Sequence, residues 1–342
     1  MVSAGNLRGK DNDWSQKVTN IRALAIVIVV LGHSIILYST KWTLYSTTVA
    51  SPFLDWVKAV IDLVQMPLFF SLSGFLFLHS HAKKRGFLNL VKSKAIRLLL
   101  PYFIVGFAYM VPIKLVVGYP GYRNKTFVDI LCSFLKVNDV GHLWFLPALF
   151  LIFLISEILL TIVEHMTRNN RASAMIYFIA AVMLYFEGYR IGFGYGPLLS
   201  AFHYLLWFAL GYLISANWDL LMEIFKKRNA AIFISFIAIV LLIYCSKWNI
   251  HTSIELICQI VNIVALYGVM PVKQHAMIAR LSKDSFGIYL FHSPLVYITY
   301  TFLRNANPFI VVMINFIVFG ACAWGLTEFV RKVHLGIVIG EK

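Results

Sequence analysis

The chain has 342 residues, of which 60% are hydrophobic and only 13% are charged, and its mean hydropathy is +0.78. Soluble domains carry about 25% charged residues, so this chain cannot cover itself with polar surface. The net charge of +15 would suit nucleic acid, but the basic residues lie between apolar blocks rather than along one polar face. The composition therefore predicts a membrane protein and argues against a nucleic-acid partner.

Apolar blocks of roughly 15 to 25 residues recur along the chain, the length a helix needs to cross about 30 Å of hydrocarbon. Lipid-exposed backbone must satisfy its own hydrogen bonds, so these blocks are predicted as helices. We predict an all-α polytopic bundle that forms a single membrane-embedded domain over 1–342, with membrane lipid as its surroundings. Its ten spans are expected near 23–39, 57–78, 98–117, 143–163, 173–188, 198–215, 230–245, 254–270, 286–303 and 309–327.

The distribution of basic residues predicts the orientation of the bundle. The segments 1–22, 79–97, 164–172, 216–229, 271–285 and 328–342 hold most of the 30 lysines and arginines. Since positive charge accumulates on the cytoplasmic side, both termini are expected there. The first apolar block lacks a small-residue cleavage site, so it is expected to be an uncleaved helix.

The four cysteines are predicted to be small buried hydrophobes. They lie in or beside apolar spans at Cys132, Cys245, Cys258 and Cys322, without CxxC spacing. Cys245 and Cys258 flank one outer loop, so a disulfide between them is an alternative. No cluster of His, Cys and carboxylate has ligand spacing, and we therefore expect no metal.

Arg22, at the cytoplasmic rim of the first span, and His33, within that span, are eleven residues apart. At about 100° and 1.5 Å per residue, both side chains fall on nearly the same helix face, roughly 16 Å apart. A cation at the membrane rim can hold a phosphate, and an imidazole in the bilayer can accept a proton. The alternative is a topology-setting arginine and a histidine hydrogen-bonded to a neighbouring helix.

The second span contributes three candidate substrate-binding residues, Asp62, Ser71 and Ser73. Asp62 could pair with one of the histidines or with Lys58. Ser71 and Ser73, with Gly74, are small residues that allow close helix contact, so simple packing is the alternative for both serines.

A basic loop precedes the third span. Lys94 and Arg97 share one helix face just before Pro101 because they are three residues apart. Their face could hold the phosphates of a nucleotide-bearing donor or of anionic lipid. The alternative is that they only set the topology.

Two further histidines are candidates for substrate binding. His142 and Trp144 lie at the outer end of the fourth span, where an aromatic beside a histidine could form a platform for a sugar ring, or Trp144 could be an interface anchor. His292 lies two residues before Pro294, which is expected to kink the ninth span, and structural and functional roles are equally open for it.

Taken in order, these segments resemble the acyltransferase-3 family of integral membrane acyltransferases. The matching residues are the Arg22-x10-His33 pair, Met66-Pro-Leu-Phe-Phe-Ser-Leu-Ser-Gly-Phe75, Lys94-x-x-Arg97, His142-Leu-Trp-Phe-Leu146 and Phe286-Gly-Ile-Tyr-Leu-Phe-His-Ser-Pro294. Many members have arginine at both ends of the basic motif, whereas this chain has lysine at position 94.

The resemblance implies a membrane-bound O-acetyltransferase in the bacterial cytoplasmic (inner) membrane. Cytoplasmic acetyl-CoA would be the acyl donor, contacted by Lys94 and Arg97, with Arg22 at the same rim. A hydroxyl of a cell-envelope polysaccharide, or of its lipid-linked precursor, would be the acceptor, and His33 would be the essential histidine. The protein would acylate this glycan itself or hand the acyl group to a separate extracytoplasmic protein. A transporter or flippase for a lipid-linked glycan or small anion is the alternative, because ten spans with buried histidines also suit proton-coupled transport.

Overall fold

The structure, a computed structural model, describes residues 4–39, 51–81, 86–191, 196–225, 228–248, 252–273, 275–303 and 305–341. Within these ranges the chain forms twelve helices and no strand, which confirms the all-α prediction. The helices are α1 (Ala4–Ile35), α2 (Pro52–His81), α3 (Phe87–Val116), α4 (Phe127–Leu135), α5 (Phe145–Met166), α6 (Asn170–Ile191), α7 (Pro197–Ala216), α8 (Trp218–Ile224), α9 (Arg228–Trp248), α10 (Thr252–Val269), α11 (Ala276–Phe302) and α12 (Pro308–Lys332).

Seven of the described helices, α1, α2, α3, α5, α6, α7 and α12, contain segments long and apolar enough to cross a membrane. Each coincides with a predicted span. The other three predicted spans fall on α9, α10 and α11, of which α9 and α10 contain shorter apolar stretches, Ile232–Leu241 and Ser253–Val269. The polytopic bundle is thus confirmed, while the number ten stays a prediction.

Helix α11 is less apolar than its neighbours for a structural reason. It packs between α1 and α12, and most of its residues from Ser282 to Thr299 are buried. Because it faces protein rather than lipid, it can carry polar residues such as Asp284 and His292. Arg331 of α12 binds Asp284 at 2.7 Å, which pairs the charge at this end of α11.

Helices α2 and α7 approach each other most closely at two glycines. A Cβ placed on Gly74 would lie 1.8 Å from the carbonyl oxygen of Phe208, and one placed on Gly211 would lie 1.8 Å from that of Ser71. No side chain fits at either position, so the backbones are in direct contact. The close helix contact expected from the small residues at 71–74 is therefore confirmed.

Helix α3 contains two π turns, Ala95–Leu99 and Gly106–Met110. The first ends two residues before Pro101, which has no N–H to donate to the carbonyl of Arg97 four residues earlier. A π turn relieves this mismatch without ending the helix. Arg97 lies within this π turn, and Lys94 directly precedes it.

The segment that follows α12 folds back onto the bundle. Gly336–Ile339 forms a 3-10 turn with Ile339 buried, and the Arg331 guanidinium donates to both carboxylate oxygens of Glu341 at 2.6 and 2.9 Å. A Cβ on Gly340 would lie 2.9 Å from the Arg97 carbonyl oxygen. The segment 336–341 is thus bound against the π turn of α3.

The burial predicted for the cysteines is correct for Cys258 and wrong for Cys132 and Cys322, both of which are exposed. Exposed apolar neighbours surround each of them, such as Leu135 near Cys132 and Val318 near Cys322. The apolar character that suggested burial belongs here to outward-facing helix surfaces. The Cys245 side chain lies outside the described residues, so the disulfide alternative stays untested.

Candidate active site

A cavity of about 400 Å³ brings together the three cations predicted to hold a donor. Arg22 reaches it from α1, and Lys94 and Arg97 reach it from the start of α3. Lys283 of α11 lies in the same wall. We call this space the basic cavity. It joins residues that are far apart in sequence, from Arg22 to Lys283.

The charges in the basic cavity favour an anionic ligand. Arg22 lies within electrostatic reach of Arg97, so the two like charges repel each other. Glu341 also lines the cavity, but its carboxylate is bound by Arg331. An anion between Arg22 and Arg97 would relieve this repulsion and accept charge-assisted hydrogen bonds.

The remaining wall of the basic cavity is apolar and aromatic. Phe69, Leu72 and Leu76 come from α2, and Phe145 and Leu149 from α5. Ser73 of α2, predicted as a substrate-binding residue, lies among them, and its hydroxyl donates to the Phe69 carbonyl at 3.0 Å. The cavity therefore suits a ligand with an anionic head and a less polar arm.

A second cavity, of about 340 Å³, contains three other predicted residues, His33, His142 and Trp144. Its wall also includes Asp139, Tyr119 and Tyr297. We call it the histidine cavity. Aromatic rings, a carboxylate and imidazoles are groups that bind sugar rings and hydroxyls in proteins.

Three histidines from different elements meet at the base of this cavity. The ring centroid of His33 lies 4.9 Å from that of His292 and 6.1 Å from that of His142, and the last two are 5.6 Å apart. His33 and His142 both line the cavity, but His142 and His292 are buried, whereas His33 is half-buried. His33 is therefore the histidine best placed to meet a ligand.

Hydrogen bonds define the protonation of this cluster. His292 Nδ1 lies 2.9 Å from the Ile288 carbonyl, so it must carry a proton, and in the neutral ring its Nε2 then accepts. His33 Nδ1 lies 3.0 Å from His292 Nε2 and 3.0 Å from the Val29 carbonyl, which are both acceptors. The neutral His33 ring therefore has its proton on Nδ1 and its lone pair on Nε2.

The loop before His142 is held by a buried lysine. Lys114, fully buried at the end of α3, donates to the Asp139 carbonyl at 3.1 Å and to Asp139 Oδ1 at 3.3 Å. Tyr119 donates to the same Oδ1 at 2.8 Å, and Lys125 pairs with Oδ2 at 3.1 Å. Burial, followed by the charge of Asp139, raises the pKa of Tyr122, which stays protonated and donates to the Asp139 carbonyl.

This loop is also conformationally restricted. Val137, Asp139 and Gly141 have φ values of 54°, 55° and 55°. A β-branched valine rarely adopts positive φ, so the surrounding contacts must impose that conformation. Since Gly141 immediately precedes His142, the contacts of Asp139 fix the position of this histidine.

The other two predicted substrate-binding residues lie elsewhere. Asp62 pairs with Lys58 rather than with a histidine, and it accepts from Gln65 Nε2 at 2.7 Å. Ser71 is buried at the contact between α2 and α7, where its hydroxyl lies 2.9 Å from the Leu68 carbonyl and 3.3 Å from the Tyr267 hydroxyl. Both residues are absent from the walls of the two cavities.

Sequence reasoning missed Lys114, Asp139 and Tyr289. Lys114 had a usable signal, because it is a single cation in the apolar run from Val111 to Val117. Asp139 had none, since its role arises from contacts between distant elements, whereas Tyr289, which lines the basic cavity, lies within the segment 286–294 that carries the resemblance. Among the described residues no group of three or more His, Cys, Asp and Glu is arranged to hold a metal ion.

A helical membrane bundle with a basic cavity and a histidine cluster is an arrangement that can bind an anionic ligand and supply a base. A family model described as an acyltransferase domain, of the acyltransferase-3 type, matches residues 16–328. The match covers most of the chain, and the protein therefore belongs to the acyltransferase-3 family of membrane acyltransferases. No curated protein and no solved structure matched the chain in the corresponding comparisons.

Proposed function

We propose that this acyltransferase moves an acetyl group from acetyl-CoA to a hydroxyl of a cell-envelope glycan or of its lipid-linked precursor. The observation that carries the proposal is the half-buried His33, which lines the histidine cavity and whose Nδ1 proton is held by His292 and Val29, so that Nε2 is its basic nitrogen. The family supports acyl transfer rather than the transporter or flippase that the sequence left open.

The basic cavity is the proposed donor site. Coenzyme A carries phosphates and a long, less polar arm that ends in the thioester, which matches a cavity with cations in one part and apolar walls in another. Arg22, Lys94 and Arg97 would hold the phosphates. This cavity would open to the cytoplasm, where acetyl-CoA is found, in the bacterial inner membrane.

The histidine cavity is the proposed acceptor site. Trp144, Tyr119 and Tyr297 offer aromatic surface to a sugar ring, and His142 lies in the same wall. A hydroxyl within hydrogen-bond reach of His33 Nε2 could lose its proton as its oxygen attacks the acetyl carbonyl carbon. The C–S bond then breaks, and the departing thiolate takes the proton from His33.

His33 could instead carry the acetyl group as an acyl-imidazole. Nε2 would attack the thioester carbonyl, the C–S bond would break, and the acceptor hydroxyl would displace the imidazole in a second step. Incubation with labelled acetyl-CoA alone separates the two routes. Label retained on His33 selects the covalent route, and its absence from a protein that still transfers to acceptor selects the direct one.

The substitution His33→Ala tests the proposal. It should lower transfer by at least about 10²- to 10⁴-fold, the contribution of a general base, while acetyl-CoA binding persists. The measurement is the transfer of labelled acetyl from acetyl-CoA to envelope glycan by purified protein.

His165→Ala is the matched control. His165 Nδ1 also bonds a carbonyl four residues earlier, that of Thr161 at 2.6 Å, but the side chain is exposed and lines neither cavity. It should transfer at the parental rate. A folded His33→Ala variant that transfers as fast as the control contradicts the proposal.

A further inference from the structure

The two cavities follow each other along the same three elements. On α11, Ser282 to Tyr289 contribute to the basic cavity, and Ser293 to Tyr297 contribute to the histidine cavity. At the start of α5, Phe145 lines the basic cavity and the preceding Trp144 lines the histidine cavity. On α1, Arg22 lines the basic cavity and His33 lines the histidine cavity. The two sets of lining residues do not overlap.

Tyr289 lies where the basic cavity ends and the histidine cluster begins. It is buried and lines the basic cavity, and its ring centroid lies 5.3 Å from that of His142 and 6.3 Å from that of His292. Its ring also packs edge-on against Phe145, with the centroids 5.5 Å apart. The Tyr289 ring thus borders the basic cavity and contacts two of the three histidines.

Two hydrogen bonds hold this ring in place. The Tyr289 hydroxyl donates to the backbone carbonyl of His142, and His142 Nε2 donates to the Leu290 carbonyl at 3.1 Å. Tyr289 and Leu290, which are consecutive residues of α11, are therefore both hydrogen-bonded to His142, the first as a donor and the second as an acceptor. Leaving this partner costs the buried hydroxyl about 1–3 kcal/mol, which keeps the ring in place before acceptor binds but is small enough for a bound acceptor to offset.

We propose that Tyr289 is a barrier and positioning residue that separates the donor thioester from His33 until acceptor is bound. The inference rests on the proposed function, which places the thioester in the basic cavity and the base at the histidine cavity. Without the ring, His33 could activate water instead of the acceptor. The water oxygen would attack the acetyl carbon, the C–S bond would break, and the thiolate would take the proton, giving acetate and free CoA.

The first test measures coupling, the amount of acceptor acetylated per CoA released. Tyr289→Ala should lose the one-to-one ratio of the parent, because CoA is released without acceptor. Tyr289→Phe keeps the ring and should stay close to the parental ratio. Tyr289→Leu serves if the alanine variant does not fold, and it should also release excess CoA. A parental ratio in a folded alanine or leucine variant overturns the proposal.

Tyr109→Ala is the matched control for lost packing. The Tyr109 hydroxyl also donates to a backbone carbonyl of α11, that of Phe291 at 3.0 Å, but the residue lines neither cavity. This variant should keep the parental ratio. Excess CoA release from it would mean that general loosening of the bundle, rather than loss of the barrier, uncouples transfer.

The second test does not depend on the reaction. In a variant whose native cysteines are replaced by serine, Ser73→Cys places a thiol in the basic cavity. A membrane-impermeant thiol reagent should reach it from one side of proteoliposomes, and from both sides once Tyr289→Ala is added. Labelling from both sides with Tyr289 present, or no change on its removal, contradicts a barrier. If the barrier is found but no acetyl transfer occurs, the proposed function fails and the barrier remains.

Discussion

The two hydrogen bonds that reach His33 Nδ1 decide which of its nitrogens can accept a proton. Val29 belongs to the same helix and provides one acceptor, while His292 comes from α11 and provides the other. Both favour a proton on Nδ1, but only His292 also fixes the ring relative to a second helix. His292 therefore acts on the reaction through His33.

Substitution of His292 should separate these contributions. His292→Leu removes one of the two acceptors of the His33 Nδ1 proton, and we expect the transfer rate to fall by about 10- to 100-fold. A catalytic triad that loses its tautomer-setting group loses about 10⁴-fold. The loss should be smaller here because the Val29 carbonyl remains as an acceptor. His292→Gln keeps an oxygen near the position of Nε2 and should retain more activity than the leucine variant. Rates and acetyl-CoA affinity measured together check this, and affinity should be parental in both. Equal activity in the two variants would contradict the tautomer role.

The cations of the basic cavity give a second prediction at the residue scale. Arg22→Ala or Arg97→Ala should weaken acetyl-CoA binding by about 10- to 100-fold, because a hydrogen bond to a charged group contributes about 1.5–3 kcal/mol. Calorimetric titration of the folded variants measures this. Lys92→Ala is the control, since Lys92 is an exposed cation in the same helix outside the cavity wall. Parental affinity in both arginine variants would leave these cations with a topological role alone.

At the scale of elements, the contact with α7 fixes the position of α2, which lines the basic cavity. Phe69, Ser73 and Phe77 of α2 face the basic cavity, while the Gly74 backbone rests on α7. A change in the spacing of these helices is therefore expected to change the shape of the basic cavity as well as the stability of the protein.

Alanine at either contact glycine should destabilise the protein. Gly74→Ala or Gly211→Ala forces the helices apart, and overpacking of this kind costs about 1–3 kcal/mol. Gly325→Ala is the control, because no heavy atom lies within 4 Å of a Cβ built there and alanine is the better helix former. Thermal unfolding in detergent should show lower midpoints for the first two variants only. An unchanged midpoint for both would mean that α2 and α7 are less tightly packed than described.

At the scale of the whole molecule, the number of spans decides the side of each terminus. Ten spans place both termini on one side, whereas seven would place them on opposite sides. Helices α9, α10 and α11 make the difference. Because α11 packs between α1 and α12, which are both long enough to cross a membrane, it is expected to cross with them.

Reporter fusions can test this topology. A reporter before residue 1 and one after residue 342 should be on the same, cytoplasmic side, and a reporter in the loop near Tyr122 should be on the other. Impermeant labelling of intact cells and of opened cells makes the measurement. Termini on opposite sides would exclude ten spans.

Features that depend on residues close in sequence could be predicted for this fold and site, whereas features that depend on contacts between distant residues could not. Helix positions could be predicted because apolar length is a local property, as in α5 or α12. Arg22, Lys94 and Arg97 could be proposed as one group because all three are cations at the predicted cytoplasmic rim, and the family resemblance implied a donor contact for the last two. The contact of His33 with His292 could not, because it depends on how α1 packs against α11. The positive φ of Val137 could not be predicted either, since tertiary contacts impose a backbone geometry that valine disfavours.

The folded-back segment 336–341 has a practical consequence for handling the protein. Gly340 and Glu341 are part of the wall of the basic cavity, next to Arg97 and Lys283. An affinity tag or fluorescent fusion attached directly after this segment would emerge beside the proposed donor entrance. It could obstruct the acyl donor or, if rich in acidic residues, compete with it for the arginines. Purification handles are therefore better placed at the other end of the chain, or followed by a cleavage site that leaves residues 336–341 in their native contacts.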